Sequence, residues 1–133
     1  MNIQQIDDKD QELIAAAGRV LEQNYNVERH SIGAAVLCSS GKIYTAVNVE
    51  SCGYGPCAEP IAVGGAISAG ERSFETIVAV GNAQPPHKIV SPCGNCRQLL
   101  FDYAPDCLVI IEHDSRIVKI PARDLIPDAF SLF

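Results

Sequence analysis

Cysteine and glutamate stand here in an order that could hold a metal ion and move protons beside it. Cys57-Ala58-Glu59 lies mid-chain, and Pro92-Cys93-Gly94-Asn95-Cys96 follows downstream. Three thiolates can bind one zinc ion and leave the fourth tetrahedral position to water. Glu59, two residues past Cys57, is close enough to handle that water's protons without being a ligand. This is the layout that a hydrolytic zinc enzyme needs. An all-thiolate set favours a soft or borderline metal such as zinc. Two blander readings use the same residues. Cys52 could join Cys57, Cys93 and Cys96 in a closed, purely structural zinc site, which would leave Glu59 without a task. Cys93 and Cys96 alone could form a redox pair, but they lack a preceding thioredoxin-like strand.

The elements around these residues explain why the spacing matters. Both cysteine segments follow a proline-containing loop and open an expected helix, Cys57 to about Ala69 and Cys93 to about Tyr103. Free backbone N–H groups and the helix dipole favour negative charge there and lower a thiol's pKa. Three thiolates on one zinc leave net negative charge. Arg97, directly after Cys96, is the expected source of charge compensation through N–H···S contacts. Further elements follow from periodicity. Asp7 to Tyr25 reads as a helix with Leu13, Ile14, Ala17, Val20 and Leu21 on one face. Ile32–Cys38 and Ile43–Val49 read as a hairpin, and Phe74–Val80, Cys107–Ile111 and Ile117–Ile120 as strands. Ala122 to Ile126 reads as a short helical turn. The expectation is an α/β fold with a mixed five-stranded sheet, parallel in part because two strand–helix–strand crossovers occur. No linker divides residues 1–133, so one domain is expected.

Composition limits the function classes. The chain has 133 residues, 47% of them hydrophobic, which suits one domain with a real core. The net charge is −6 and the ten basic residues are scattered. That argues against a polynucleotide partner, which calls for a basic face. No apolar run reaches membrane-span length, and the polar, acidic start resembles neither a secretory signal nor a transit peptide. Six cysteines without a secretory signal point to a cytoplasmic protein that uses them for metal or reaction rather than disulfides.

At these residues the chain resembles the cytidine deaminase superfamily, specifically the small nucleoside deaminases of cytidine deaminase and blasticidin S deaminase type. Ile32-Gly33-Ala34-Ala35 is similar to a V-G-A-A strand and Asn48-Val49-Glu50 to N-V-E. Cys57-Ala58-Glu59 matches C-A-E, Pro92 to Gln98 matches P-C-G-x-C-R-Q, and Leu125 to Phe130 resembles a terminal L-L-P-x-x-F. The three-cysteine variant of the zinc-deaminase signature is a known pattern. The resemblance implies that Cys57, Cys93 and Cys96 bind one Zn²⁺ per subunit and that Glu59 is the catalytic proton shuttle. It implies substrate-binding roles for Asn48 and Glu50 on the sugar hydroxyls, for Ala58, and for Phe130 by stacking at a subunit boundary. It further implies a three-layer α/β/α sandwich, a homotetramer with shared sites, and hydrolysis of cytidine or deoxycytidine in pyrimidine salvage.

Two departures bear on the substrate. Pro60 stands where cytidine deaminases commonly carry arginine, and His30-Ser31 replaces an F-P pair on the sugar side. Blasticidin-type deaminases also lack that arginine, and their S-P-C-G-x-C-R and D-Y-A-P-D-C segments resemble Ser91 to Arg97 and Asp102 to Cys107. Blasticidin S or another modified cytosine nucleoside is therefore the alternative substrate, with a non-catalytic zinc module as a third reading. Asn48 and Glu50 could also be a solvent-facing strand-end pair, and Phe130 could serve core packing. Cys38 and Cys107 are expected core thiols. His30 is expected as a surface or capping residue, with substrate contact as the alternative; His87 and His113 are expected to be solvated, Arg29 to be a solvated charge or else a substrate-side cation, and Tyr54 to lie either at the pocket or over the sheet.

Overall fold

Asp7 starts the first helix, α1 (Asp8–Asn24), with a reciprocal cap. Its carboxylate accepts from Asp10 N at 3.1 Å, and Asp10 Oδ2 accepts from Asp7 N at 2.9 Å. These bonds satisfy two donors that the helix itself cannot. Asp7 is held below the usual carboxylate range, chiefly by the Asp10 N–H and with help from Lys119. Asp10 is buried, and its Oδ2 also takes Lys119 Nζ at 2.8 Å. Asp10→Ala should therefore remove the box and leave the buried lysine amine without its nearest counter-charge. Urea denaturation is expected to register a loss of about 2–4 kcal/mol; a loss under about 0.5 kcal/mol would mean that water replaces the carboxylate freely.

All residues, 1–133, are described by the computed structural model. After β1 (Gln4–Gln5) and α1 come β2 (Gly33–Cys38), β3 (Ile43–Val47), α2 (Ala58–Ser68), β4 (Phe74–Gly81), β5 (Lys88–Ile89), α3 (Gly94–Tyr103), β6 (Leu108–His113), β7 (Arg116–Pro121) and a 3₁₀ turn, Ala122–Leu125. The sheet order is β1-β7-β6-β4-β2-β3, with β5 pairing β4. Strand alternation sorts the core into two halves. Ala34, Val36, Ile77, Ala79, Val109 and Ile111 face α2 and α3. Ala35, Val78, Val80 and Ile110 face Leu13, Ala17 and Leu21 of α1. The result is the expected three-layer α/β/α sandwich.

The sheet has seven strands rather than the expected five. The two extra strands are two residues each, too short to carry a period, and both are held by distant partners: Gln4 pairs Lys119 and Ile89 pairs Val80. Parallel pairing is confined to β4 and β6. The first crossover passes over β2, so β3 and β4 flank that strand and both run antiparallel to it. Their carboxyl ends consequently lie at the same side of the sheet. The helices that follow, α2 after β3 and α3 after β4 and β5, therefore begin side by side at that side. This is what brings the two cysteine segments together.

Candidate active site

Cys57 and Cys93 are the N-caps of α2 and α3, with near-identical extended backbones (φ −65°, ψ 164° and φ −70°, ψ 173°). Neither side chain makes a capping hydrogen bond. Both sulfurs are thus free to face a common point beside two helix N-termini. Cys96, in the first turn of α3, supplies the third. The Sγ atoms of Cys57 and Cys93 lie 3.5 Å apart, those of Cys93 and Cys96 3.4 Å, and all three fall within 4.8 Å of one another. Thiolates about 2.3 Å from a tetrahedral zinc lie about 3.8 Å apart, so the cluster fits that ion with little movement. It holds three sulfurs; Cys52 is exposed and lies outside it. The closed four-cysteine site is therefore not formed.

Glu59 occupies the second position of α2, buried at 5% exposure. It lines a cavity of about 200 Å³ together with Cys57, Cys93, Ala58, Asn48 and Glu50. Burial pushes its carboxyl above the ordinary range, partly offset by its own N–H and the Cys96 thiol. The same burial, joined by the Glu59 charge, pushes the Cys96 thiol far up. Burial likewise raises Cys57, with the neighbouring Cys93 sulfur adding to it. Cys93 also feels burial, but the N–H groups of Cys96 and Asn95 and the adjoining sulfurs outweigh it and leave this thiol lowered. A cation placed among them would favour the deprotonated form of every member. Pro60 fits the third helical position because no intrahelical bond requires an N–H there. Ala58, the first residue of α2, presents a backbone N–H that likewise has no intrahelical acceptor.

The opposite wall is built from the end of β3. Asn48 is buried rather than facing solvent. Its Oδ1 accepts from Ser31 N at 2.8 Å and Ile32 N at 3.0 Å, and its Nδ2 donates to Glu50 Oε2 at 3.1 Å. His30 Nδ1 lies 2.8 Å from the Asn48 carbonyl, which can only accept, so that nitrogen carries the proton. His30, expected as a surface or capping residue, therefore takes the capping role and braces Asn48. Arg29, expected to be solvated, donates to the Glu50 carbonyl at 3.4 Å. Ile32, Val90 and Ser91 complete the lining. Sequence reasoning did not assign these three to the site, although Ser91 belongs to the S-P-C segment that could have marked it.

Other expectations need correction. Arg97 makes none of the expected N–H···S contacts. Its guanidinium donates instead to Pro92 O (2.8 Å), Leu125 O (2.9 Å) and Ser91 Oγ (2.9 Å), so it ties the Cys93 loop to the C-terminal segment. Three carbonyl or hydroxyl oxygens are stronger acceptors than sulfur and lie within its reach. Phe130 is 71% exposed and does not line the cavity, so it packs no core within one subunit. Its carbonyl is held by Gln98 Nε2 at 2.9 Å. Tyr54 is exposed and outside the cavity. The His87 ring is not solvated: its side chain is 10% exposed, against Gly18 of α1 and 3.8 Å from Glu22. Cys38 and Cys107 are core thiols as expected, and burial pushes Cys107 up to about 12. A larger hollow of about 460 Å³ lies away from the cysteines, near Asp10, Lys119 and Thr76. Its buried Asp10 and Lys119 pair with each other, whereas the sulfur cluster and Glu59 lie at the smaller cavity.

Comparison with known proteins agrees with this geometry. The family model described as "Cytidine and deoxycytidylate deaminase zinc-binding region" matches residues 7–112, which include all three clustered cysteines. Blasticidin-S deaminase of Bacillus cereus is 40% identical over 129 residues, covering 92% of this chain and 92% of that protein. Cytidine deaminase of Sporosarcina psychrophila is 35% identical over 128 residues, covering 91% of this chain and 90% of that one. The crystal structure of cytidine deaminase from Burkholderia pseudomallei superposes with a TM-score of 0.76 at 34% identity, covering 90% of this chain and 98% of that one.

Proposed function

The chain belongs to the cytidine and deoxycytidylate deaminase family, and we propose that it hydrolyses the 4-amino group of a free cytosine nucleoside. Water and the nucleoside are consumed; the uracil nucleoside and ammonia are formed. One observation carries this: a cluster of three sulfurs with the spacing of a zinc site opens through Cys57 and Cys93 onto the small cavity that the buried Glu59 carboxylate also lines. Cys57, Cys93 and Cys96 would hold the ion. When bound, zinc supplies a water acidic enough to act as nucleophile near neutral pH.

The chain's own groups do the rest. A Glu59 carboxylate oxygen takes a proton from the attacking water, passes it to the ring nitrogen and delivers another to the leaving amine. Its raised pKa suits a group that must both accept and donate. The free N–H of Ala58 can bind a base oxygen, and Asn48 with Glu50 can bind the sugar hydroxyls. Arg97 acts at one remove, by fixing the loop that carries Cys93.

The cavity of about 200 Å³ is below the roughly 300–1,000 Å³ usual for small-molecule sites. We take it as completed by a second copy, with the exposed Phe130 stacking on a neighbour's substrate in a homotetramer. A cytoplasmic role in pyrimidine salvage and a single-domain chain belong to the same proposal. No helix is long and apolar enough to cross a membrane, and the acidic surface gives a nucleic acid little to bind.

Blasticidin S is the second reading. Pro60 and His30 favour it, as does the relative at 40% identity. Steady-state deamination of cytidine, deoxycytidine and blasticidin S, followed by ultraviolet absorbance, separates the two. Turnover of cytidine or deoxycytidine is expected. Inert cytidine and deoxycytidine with active blasticidin S would install the second reading, and no turnover of any would remove both.

A further inference from the structure

Gly55 sits where any side chain would strike the Glu50 carboxylate. A Cβ built on it falls 2.5 Å from Oε1, 3.2 Å from Cδ and 3.4 Å from Oε2 of Glu50. Gly53 in the same loop has nothing within 4 Å. Backbone conformation does not explain the glycine, because positive φ among glycines occurs only at Gly41 and Gly70. The constraint is therefore contact with Glu50.

Both sides of that contact are held. Val49 N donates to Pro56 O at 3.2 Å and closes the loop, while Ser51 Oγ donates to Tyr54 O and accepts from Tyr54 N at 3.1 Å. On the other side Glu50 Oε2 accepts from Asn48 Nδ2, whose own oxygen is anchored by two backbone N–H groups. The carboxylate thus lies between Asn48 and the bare Cα of Gly55, at the mouth of the cavity.

We propose that Gly55 is a positioning residue that keeps the Glu50 carboxylate against Asn48 and facing the substrate sugar, and so sets the enzyme's preference for sugars bearing hydroxyls. This rests on the nucleoside reading above. Only the end of a flexible side chain must yield to a methyl group at this position, so Gly55→Ala should fold and keep its zinc. The displaced carboxylate should lose its hold on the sugar.

The test compares cytidine with 2′,3′-dideoxycytidine in wild type and Gly55→Ala. The expected result is that the preference for cytidine, as a ratio of kcat/KM values, falls about tenfold through KM. That is the size expected when one hydrogen bond to a charged group is lost. In a Glu50→Ala background the same change should have no further effect, since its target is gone. Independently of turnover, the Asn48 side-chain amide signals in a ¹⁵N–¹H spectrum should move and exchange faster with water in Gly55→Ala. An unchanged preference, an effect that persists without Glu50, or an unfolded variant would overturn the proposal. If the wild type deaminates no cytosine nucleoside, the nucleoside reading fails, and the Asn48 signals still decide whether Gly55 positions Glu50.

Discussion

Glu59→Gln is expected to lower kcat by about 10²–10⁴-fold and to leave zinc content and circular dichroism unchanged. Glutamine keeps the shape and the hydrogen-bonding carbonyl but cannot accept and return a proton. Because Glu59 lies outside the three-sulfur cluster, the metal has no reason to leave. The stability effect should run the other way. Burial raises the carboxyl's pKa in the folded, metal-free chain above its unfolded value, so folding is penalised once pH climbs past the unfolded value and the charge must be buried. Glutamine has no such penalty, and metal-free Glu59→Gln should melt at or above the wild-type temperature at neutral pH. Retained turnover would take Glu59 out of the mechanism. Lost zinc would mean that the carboxylate helps hold the ion.

Periodicity located most of the fold, and residue type located most of the site. The helix α1 is expected over Asp7 to Tyr25 and found over Asp8–Asn24; Phe74–Val80 is found as Phe74–Gly81. These segments carry strong apolar patterns, and their burial follows from them. Gln4–Gln5 and Lys88–Ile89 carry none, since their pairing is imposed by β7 and β4. Cys57, Cys93, Cys96 and Glu59 could be singled out because thiolates and a carboxylate are chemically distinctive. The acceptors of Arg97 are not legible for the opposite reason: a guanidinium's preference among nearby acceptors depends on where Pro92, Ser91 and Leu125 fall, and no local pattern encodes that. His30 and Gly55 were likewise invisible as supports of Asn48 and Glu50, because each acts across a distance that only the folded loop closes.

Cys96→Ser should have the larger consequence of the two principal substitutions. The Cys96 sulfur is fully buried, 3.4 Å from Cys93 Sγ, and a serine hydroxyl does not ionise to replace a thiolate ligand. With two ligands left, zinc content is expected to drop from one per chain to a small fraction, and turnover to fall below that of Glu59→Gln. Stability should fall too, because the unpaired hydroxyl is buried at a cost of about 1–3 kcal/mol and the ion's own contribution to folding disappears. Cys52→Ser is the matched control: this exposed thiol lies outside the cluster, so zinc and turnover should both persist. The pH dependence follows from the same sulfur. Burial makes Cys96 hold its proton in the metal-free chain, so loading zinc must expel that proton. Apparent zinc affinity should therefore weaken as pH falls, and competition with a chelator across pH measures it. Affinity independent of pH, or zinc lost from Cys52→Ser but kept in Cys96→Ser, would break the link between this trio of sulfurs and the metal.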